Sequence, residues 1–349
     1  MTDLSEYVEE LPVDAVHAGL AAVVVALLFL ASPLFVQAPS GSLVFFEVGV
    51  LFVLYAMVLV GLNLQFGHAG LVNFGPVAFF AVGGYTAAIL TAEDPFQGVG
   101  LGLPWPVGLA AGVIAAMALG VLLGISTLRL RDDFLAIVTL AVAEIVHGSI
   151  ITFREVTGGT SGLQNVPQPV AATTDAGGSA EIVSTILVFG AFALLFYGVF
   201  RRLSASPYGR VLRAIRADEQ VTETLGKRVF RYKLVVFVYG AALAGLAGAL
   251  LVFYNGAASD TFFTIDVTVI VWVGMLIGGA GSDRGVLGGL AIIMSFQLLT
   301  RFFNDSIPFV TQDQFASIRL MLIGLLLMVI IKYRPEGIWG NADRLGVDS

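Results

Sequence analysis

Apolar residues in this chain run in long unbroken blocks rather than in alternation or in narrow helical stripes. Charge-free stretches cover 48–92, 95–128 and 234–259, each longer than the roughly 20 residues a helix needs to cross a bilayer core. Bounded by charges and turn residues, the apolar runs predict helices near 15–37, 43–66, 70–92, 104–128, 134–153, 182–200, 234–254, 265–282, 285–302 and 316–333. The expected fold is therefore all-α, a polytopic membrane bundle of about ten spans. The run from Val48 to Ala92 is long enough to double back, and Gly67-His68-Ala69-Gly70 is the natural place, because glycine tolerates tight turns. Pro76 and the pair Gly83-Gly84 then predict that segment 70–92 is broken or re-entrant. Such a break is tolerated where protein or water covers the freed backbone groups.

Composition agrees with this pattern. Apolar residues make up 57% and charged residues 12% of the 349, against about 25% charged in soluble chains. Cysteine is absent, which excludes disulfides, thiolate metal sites and cysteine nucleophiles. The three histidines (His17, His68, His147) stand too far apart for a local metal motif. Gly226-Lys227 is followed by Arg228, so no phosphate-binding loop ends there. Ser161 lacks a nucleophile elbow, since Thr160 interrupts the required glycine pattern. A net charge of −7 opposes nucleic-acid binding. No metal, cofactor or catalytic constellation is expected, and the chain reads as a non-enzyme. The acidic start, MTDLSEYVEELPVD, lacks the positive region of a signal peptide, so 1–14 is expected to be a tail and 15–37 a retained helix.

Arginine and lysine predict the orientation. Nine of the eighteen lie between Arg201 and Lys233, so that loop should face the cytoplasm. With alternating spans, Arg129, Arg131, Arg284, Lys332, Arg334 and Arg344 fall on the same side, leaving only Arg154, Arg301 and Arg319 elsewhere. Both termini, including the 334–349 tail, are then cytoplasmic in a multi-pass plasma-membrane protein whose membrane domain is 15–333.

Residues 206–226 of that loop read as an amphipathic helix or helix pair. Ser206 suits the N-cap and Pro207 the first turn. Val211, Ile215, Thr222 and Leu225 approximate an apolar stripe, Arg210, Arg213 and Arg216 form a basic row, and Gly226 is a stop. The segment is a solvated connector, a helix lying on lipid headgroups, or a docking surface. Inside the spans, Asn63, Glu144 and His147 are candidates for a translocation path or gate. Glu144 and His147 share a helical face, and a satisfied structural pair between helices is the expectation for them. Glu47 and Asp266 lie near helix starts and are expected to reach the outer interface. Thr157-Gly158-Gly159-Thr160-Ser161-Gly162 predicts a shaped turn in an external loop.

The basic segment resembles the coupling loop of ABC importer permeases in the version found in branched-chain amino acid permeases. Gly209, Arg210, Leu212, Arg213, Ala214, Ile215, Arg216, Asp218, Glu219, Leu225 and Gly226 carry the match. Gly61-Leu62-Asn63-Leu64, Gly67, Ala69-Gly70, Gly75, Ala78-Phe79 and Gly84-Tyr85-Thr86 resemble the same family, as does Arg334-Pro335-Glu336-Gly337 at the carboxyl end. Leu128-Arg129-Leu130-Arg131, 134–140, Glu144-Ile145 and Thr157-Gly158-Gly159 with Gly162-Leu163 favour its LivM-type subunit over the LivH-type partner. The sequence departs from the family's usual residues at His68, Asn73 and Pro76.

The resemblance implies transport of leucine, isoleucine and valine by alternating access. It also implies four kinds of contact: a LivH-type second permease, two cytoplasmic ATPases touching 209–226, an external binding protein, and membrane lipid. Urea and short-chain amide permeases share the architecture. From another class, an ion-coupled secondary transporter would suit the broken helix but would leave the basic segment unexplained.

Overall fold

The computed structural model describes residues 39–93, 98–129, 132–173, 179–303, 312–334 and 336–340. The expected tail at 1–14 and helix at 15–37 lie outside these residues, and the 334–349 tail is described only at 334 and 336–340. Helix α1 spans Pro39–Leu62 and continues into a π-helical turn, Asn63–His68. Then come α2 (Pro76–Thr91), α3 (Trp105–Thr127), α4 (Asp132–Thr152) and α5 (Ser179–Ala205). The short helices α6 (Pro207–Ala217) and α7 (Glu219–Thr224) lead into α8 (Val229–Asn255). The last three are α9 (Ile265–Gly278), α10 (Asp283–Phe303) and α11 (Gln312–Tyr333). Among the described residues the only β pairing is one antiparallel bridge, Leu163 to Ala258.

Six helical stretches among the described residues are long and apolar enough to cross a membrane: 47–68, 105–127, 133–152, 181–205, 229–255 and 260–278. Of the other expected spans, the one at 15–37 lies outside the described residues, and those at 285–302 and 316–333 are described only in part. The expected span at 70–92 begins with irregular chain, which leaves α2 a helix of only 16 residues.

Helix α8 is the axis of the bundle, with 83% of its most apolar stretch buried. It lies against α1, α2 and α3, and small residues set the distances. A Cβ on Gly83 would collide with the backbone of Gly245, and one on Gly248 with the carbonyl of Phe80. Across the other side, a Cβ on Gly61 would stand 3.0 Å from the Cα of Gly240. Between membrane helices no hydrophobic force drives association, so close backbone approach of this kind supplies the packing. The expectation that Gly83-Gly84 interrupts its helix is thereby corrected: α2 runs straight through both. Phe79 meets the Phe237 ring edge-on at 5.7 Å, sealing the same interface.

One end of the bundle gathers the basic segment 201–233, the α9–α10 turn and residues 336–340. Ile338 and Trp339 donate their backbone N–H to the carbonyls of Ile277 and Gly278, at 2.9 and 3.2 Å. At the opposite end the glycine-rich turn after α4 is shaped as expected. Gly158, Gly159 and Gly162 all have positive φ, and Leu163 exchanges two backbone hydrogen bonds with Ala258, at 2.9 and 2.8 Å. Near it a cavity of about 600 Å³ opens between α1, α5, α8 and α9, with Glu47, Glu181 and Asp266 on its walls.

Candidate functional site

The chain departs from α-helical geometry between Asn63 and Gly75, at the basic end of a helical stretch long and apolar enough to cross a membrane. The π turn ends at His68, and residues 70–75 are irregular before Pro76 opens α2 in its first turn, a position that tolerates a missing N–H. Sequence analysis expected a break, but within a helix starting near residue 70. The structure moves the helix start to Pro76.

Such backbone survives at membrane depth only if its polar groups find partners. Gly70 and Leu71 donate to the carbonyls of Phe66 and Gln65, at 3.1 and 2.9 Å. Phe74 N–H donates to the Thr139 hydroxyl at 3.0 Å, and Thr139 stands about 10 Å along α4 from its start. Gly75 N–H donates to Asn73 Oδ1 at 2.8 Å, and Val77 N–H to Thr268 Oγ1 at 3.3 Å. The Asn73 carbonyl accepts from the Trp272 indole at 2.9 Å, and that ring stacks on Phe74 at 4.7 Å. Gln65 links the two arms: its amide nitrogen donates to the Phe237 carbonyl at 3.1 Å, and its oxygen accepts from Asn73 Nδ2 at 2.9 Å. Gln65, Asn73, Thr139 and Thr268 are all buried.

The π turn is also tied to two elements at the basic end. Asn63 Oδ1 accepts from the Gly281 N–H at 2.8 Å, which joins α1 to the α9–α10 turn. His68 Nδ1 pairs with the Asn63 carbonyl at 3.2 Å, and its Nε2 lies 3.8 Å from Asp283 Oδ1. Gly67 is required here, because a Cβ on it would stand 2.5 Å from the Gly281 nitrogen. The second tie is Arg216, whose Nη1 donates to the Gly67 carbonyl. Its guanidinium also sits 5.6 Å from the Phe66 ring centroid, a cation–π contact. Burial pulls the Arg216 pKa below its ordinary value, yet a guanidinium stays charged at neutral pH.

The segment carrying Arg216 forms the expected helix pair. Ser206 caps α6 by accepting from the Tyr208 N–H at 3.2 Å, and Asp218 caps α7 by accepting from Val221 at 2.9 Å. Gly226 follows with φ 77°, a left-handed stop. Four contacts clamp the pair to the bundle. Besides Arg216, Arg213 donates to the Ser204 carbonyl at 3.1 Å. Tyr208 donates its hydroxyl to the Tyr232 carbonyl at 3.0 Å; burial, with Tyr232 second, pushes its pKa up to about 12. Lys233 pairs with Glu219 at 2.5 Å.

This geometry corrects part of the stripe expected from sequence. Gly209, Leu212, Ile215 and Thr222 face inward, whereas Leu225 is 73% exposed. Leu212 and Ile215 are spent on this chain's own core. A Cβ on Gly209 would collide with the Ser204 carbonyl, so its close approach is likewise internal. Exposed on the outer side are Arg210, Ala214, Asp218, Glu219, Val221, Leu225 and Gly226, together with the outer part of Arg213.

Of the other candidates, Asn63 joins the site and Glu144 and His147 do not. Glu144 is exposed on the outside of α4, and His147 Nε2 is buried with no partner among the described residues. The expected satisfied pair is thus not seen among the described residues. Sequence reasoning missed Gln65, Thr139, Thr268, Trp272 and Asp283. A signal existed for Gln65: it is one of the few hydrogen-bonding side chains in the charge-free run that also holds Asn63, His68 and Asn73. His68, Asn73 and Pro76, the positions where the sequence departs from the resembled family, all lie in the break.

Comparison with known proteins places this architecture. Residues 44–331 match the family model described as branched-chain amino acid transport system / permease component. The permease protein LivM of the high-affinity branched-chain amino acid transport system of Escherichia coli K12 is 31% identical over 84% of this chain and 69% of its own length. A probable branched-chain amino acid transport permease protein LivM from Methanocaldococcus jannaschii is 28% identical, covering 82% of this chain and 90% of its own. Escherichia coli LivH, also a permease protein of the high-affinity system, is 25% identical over 83% of this chain and 92% of its own. No solved structure matches the chain. The chain belongs to the family of branched-chain amino acid transport system permease components.

Proposed function

We propose that this chain is a LivM-type permease subunit of an ABC importer that moves leucine, isoleucine and valine by alternating access. Its partners in this reading are a LivH-type permease, two ATPases at the basic end and a binding protein at the other. The observation that carries the reading is the Arg216–Gly67 contact. It fastens a helix pair with a free outer face to residues 63–75, where the described chain leaves α-helical geometry between α1 and α2. A pull on α6 and α7 reaches the π turn through Arg216, and reaches the α9–α10 turn through Asn63 and Gly281. A π turn and an irregular segment can change dihedral angles more cheaply than a regular helix, so the break is where such a pull would be absorbed. The chain supplies conformational states; ATP hydrolysis belongs to the partner subunits.

The basic end faces the cytoplasm in this reading. A cysteine at exposed Leu225, in this naturally cysteine-free chain, should react with an impermeant thiol reagent only after the membrane is opened. Labelling in intact cells would reverse the orientation. Function is tested by reconstituting the chain with its neighbouring permease, ATPases and binding protein in proteoliposomes. Leucine uptake should require ATP and survive collapse of proton and sodium gradients. Gradient-driven uptake without the ATPases would establish a secondary transporter instead, and uptake competed by urea or short amides but not by valine would change the substrate.

A further inference from the structure

Helix α4 presents two unlike faces. Leu135, Thr139, Ala143 and Ile150 are buried against the chain's own core, and Thr139 serves the helix break. On the opposite side Ile137, Ala141, Glu144 and Gly148 follow one another at four, three and four residues, and all four are exposed. Glu144 is the thirteenth of the 21 residues of α4, about 18 Å from its start, and so lies near the middle of the bilayer. A carboxylate there is expensive unless protein or water receives it.

The other outward faces are of a different kind. Between Val107 and Ile125 the exposed large side chains of α3 are Val107, Ile114, Met117, Val121, Leu122 and Ile125, and those of 183–199 in α5 and of 321–330 in α11 are likewise aliphatic or methionine. Lipid tails satisfy those surfaces, but they have no donor for Glu144. One turn along, His147 Nε2 is a second polar atom on α4 without a partner among the described residues. Around Glu144 the face is low: Ala141 is small, and a Cβ built on Gly148 meets nothing within 4 Å. Small residues beside a polar one let a neighbouring backbone come close enough to hydrogen-bond in lipid.

We infer that the outward face of α4, built from Ile137, Ala141, Glu144 and Gly148, seats a membrane helix of the second permease subunit that brings a hydrogen-bond donor to the depth of Glu144. This rests on the importer reading above, and within it the choice of occupant follows by depth. The ATPases meet the basic end and the binding protein the other end. Of the partners, only the second permease reaches the middle of the bilayer.

The test uses the complex of this chain with its second permease and ATPases, extracted in mild detergent. Gly148→Leu adds an apolar side chain where this chain has open space, so insertion and yield should be unchanged while recovery of the second permease falls at least tenfold. Gly198→Leu, at another open position on α5, should leave recovery at the wild-type level, and Glu144→Gln should retain most of it. A benzophenone maleimide attached at Gly148→Cys should photocrosslink to the second permease. Unchanged recovery for Gly148→Leu, or crosslinks only to lipid, to a second copy or to residues 15–37 of this chain, would overturn the inference. The importer reading is checked separately, by ATP-dependent leucine uptake of the wild-type complex. If uptake holds while the crosslink goes elsewhere, the interface alone is wrong; if uptake is absent while the crosslink forms, the substrate reading is wrong and the interface stands.

Discussion

Helices α8 and α4 are nearly indistinguishable by hydropathy, 2.3 against 2.1, yet 83% of the apolar stretch of one is buried and only 22% of the other. In lipid, mean apolarity says that a segment crosses and nothing about what it touches, because tails are as apolar as leucine. What separates the two helices is where their small and polar residues stand. Gly240, Gly245 and Gly248 of α8 each bring a Cβ position within reach of a facing chain, whereas Gly148 of α4 faces open space. The polar residues of α4 divide in the same way: Thr139 turns inward to hold the break, and Glu144 turns out.

That contrast can be broken by substitution at matched positions. The largest effect is expected at the axis. Gly83→Leu forces a side chain into the backbone of Gly245, and with overpacking ordinarily worth about 1–3 kcal/mol, a collision with rigid backbone should exceed that range. Size-exclusion profiles in detergent should show little or no monodisperse protein. A monodisperse, heat-stable Gly83→Leu variant would mean that α2 and α8 are not in backbone contact.

Next comes Gln65→Leu, which keeps volume but strands the Phe237 carbonyl and the Asn73 amide. At about 1–3 kcal/mol for each buried group left unpaired, a clear drop in melting temperature is expected by thermal shift, with insertion preserved. Trp272→Phe strands one buried group rather than two, the Asn73 carbonyl, and trims the ring that packs on Phe66 and Phe74; a loss of about 1–3 kcal/mol should follow, smaller than for Gln65. If the two variants rank in the opposite order, ring packing rather than hydrogen bonding holds the break. The smallest effect is expected on the outer surface. Leu122→Ala, at a residue 64% exposed, should change stability by no more than about 0.5 kcal/mol.

Much of this was legible in the sequence. The long apolar blocks located the helices, the glycine cluster at 67–70 marked the turn, and Ser206-Pro207 marked the start of α6. The site was legible only in part, because hydrogen bonds across a bundle leave no local trace. Nothing near Thr139 or Thr268 says that either will serve a break some 65 or 191 residues away. The basic segment was misread by a turn for a similar reason. Leu225 looks like one more member of the stripe, but α6 ends at Ala217, and the new cap at Asp218 resets the helical phase. Glu144 and His147 were read as a pair from their spacing; their orientations depend on which side of α4 the rest of the chain covers, and periodicity alone does not choose it.

The central claim is that the basic helix pair is mechanically joined to the break in the span through Arg216. Arg216→Ala removes that link while leaving the outer face of α6 and α7 intact. In proteoliposomes holding the complete complex, the ATPases should still co-purify and hydrolyse ATP, while leucine uptake per ATP falls at least about tenfold, within the usual range for a lost coupling. Uptake per ATP equal to wild type would contradict the account.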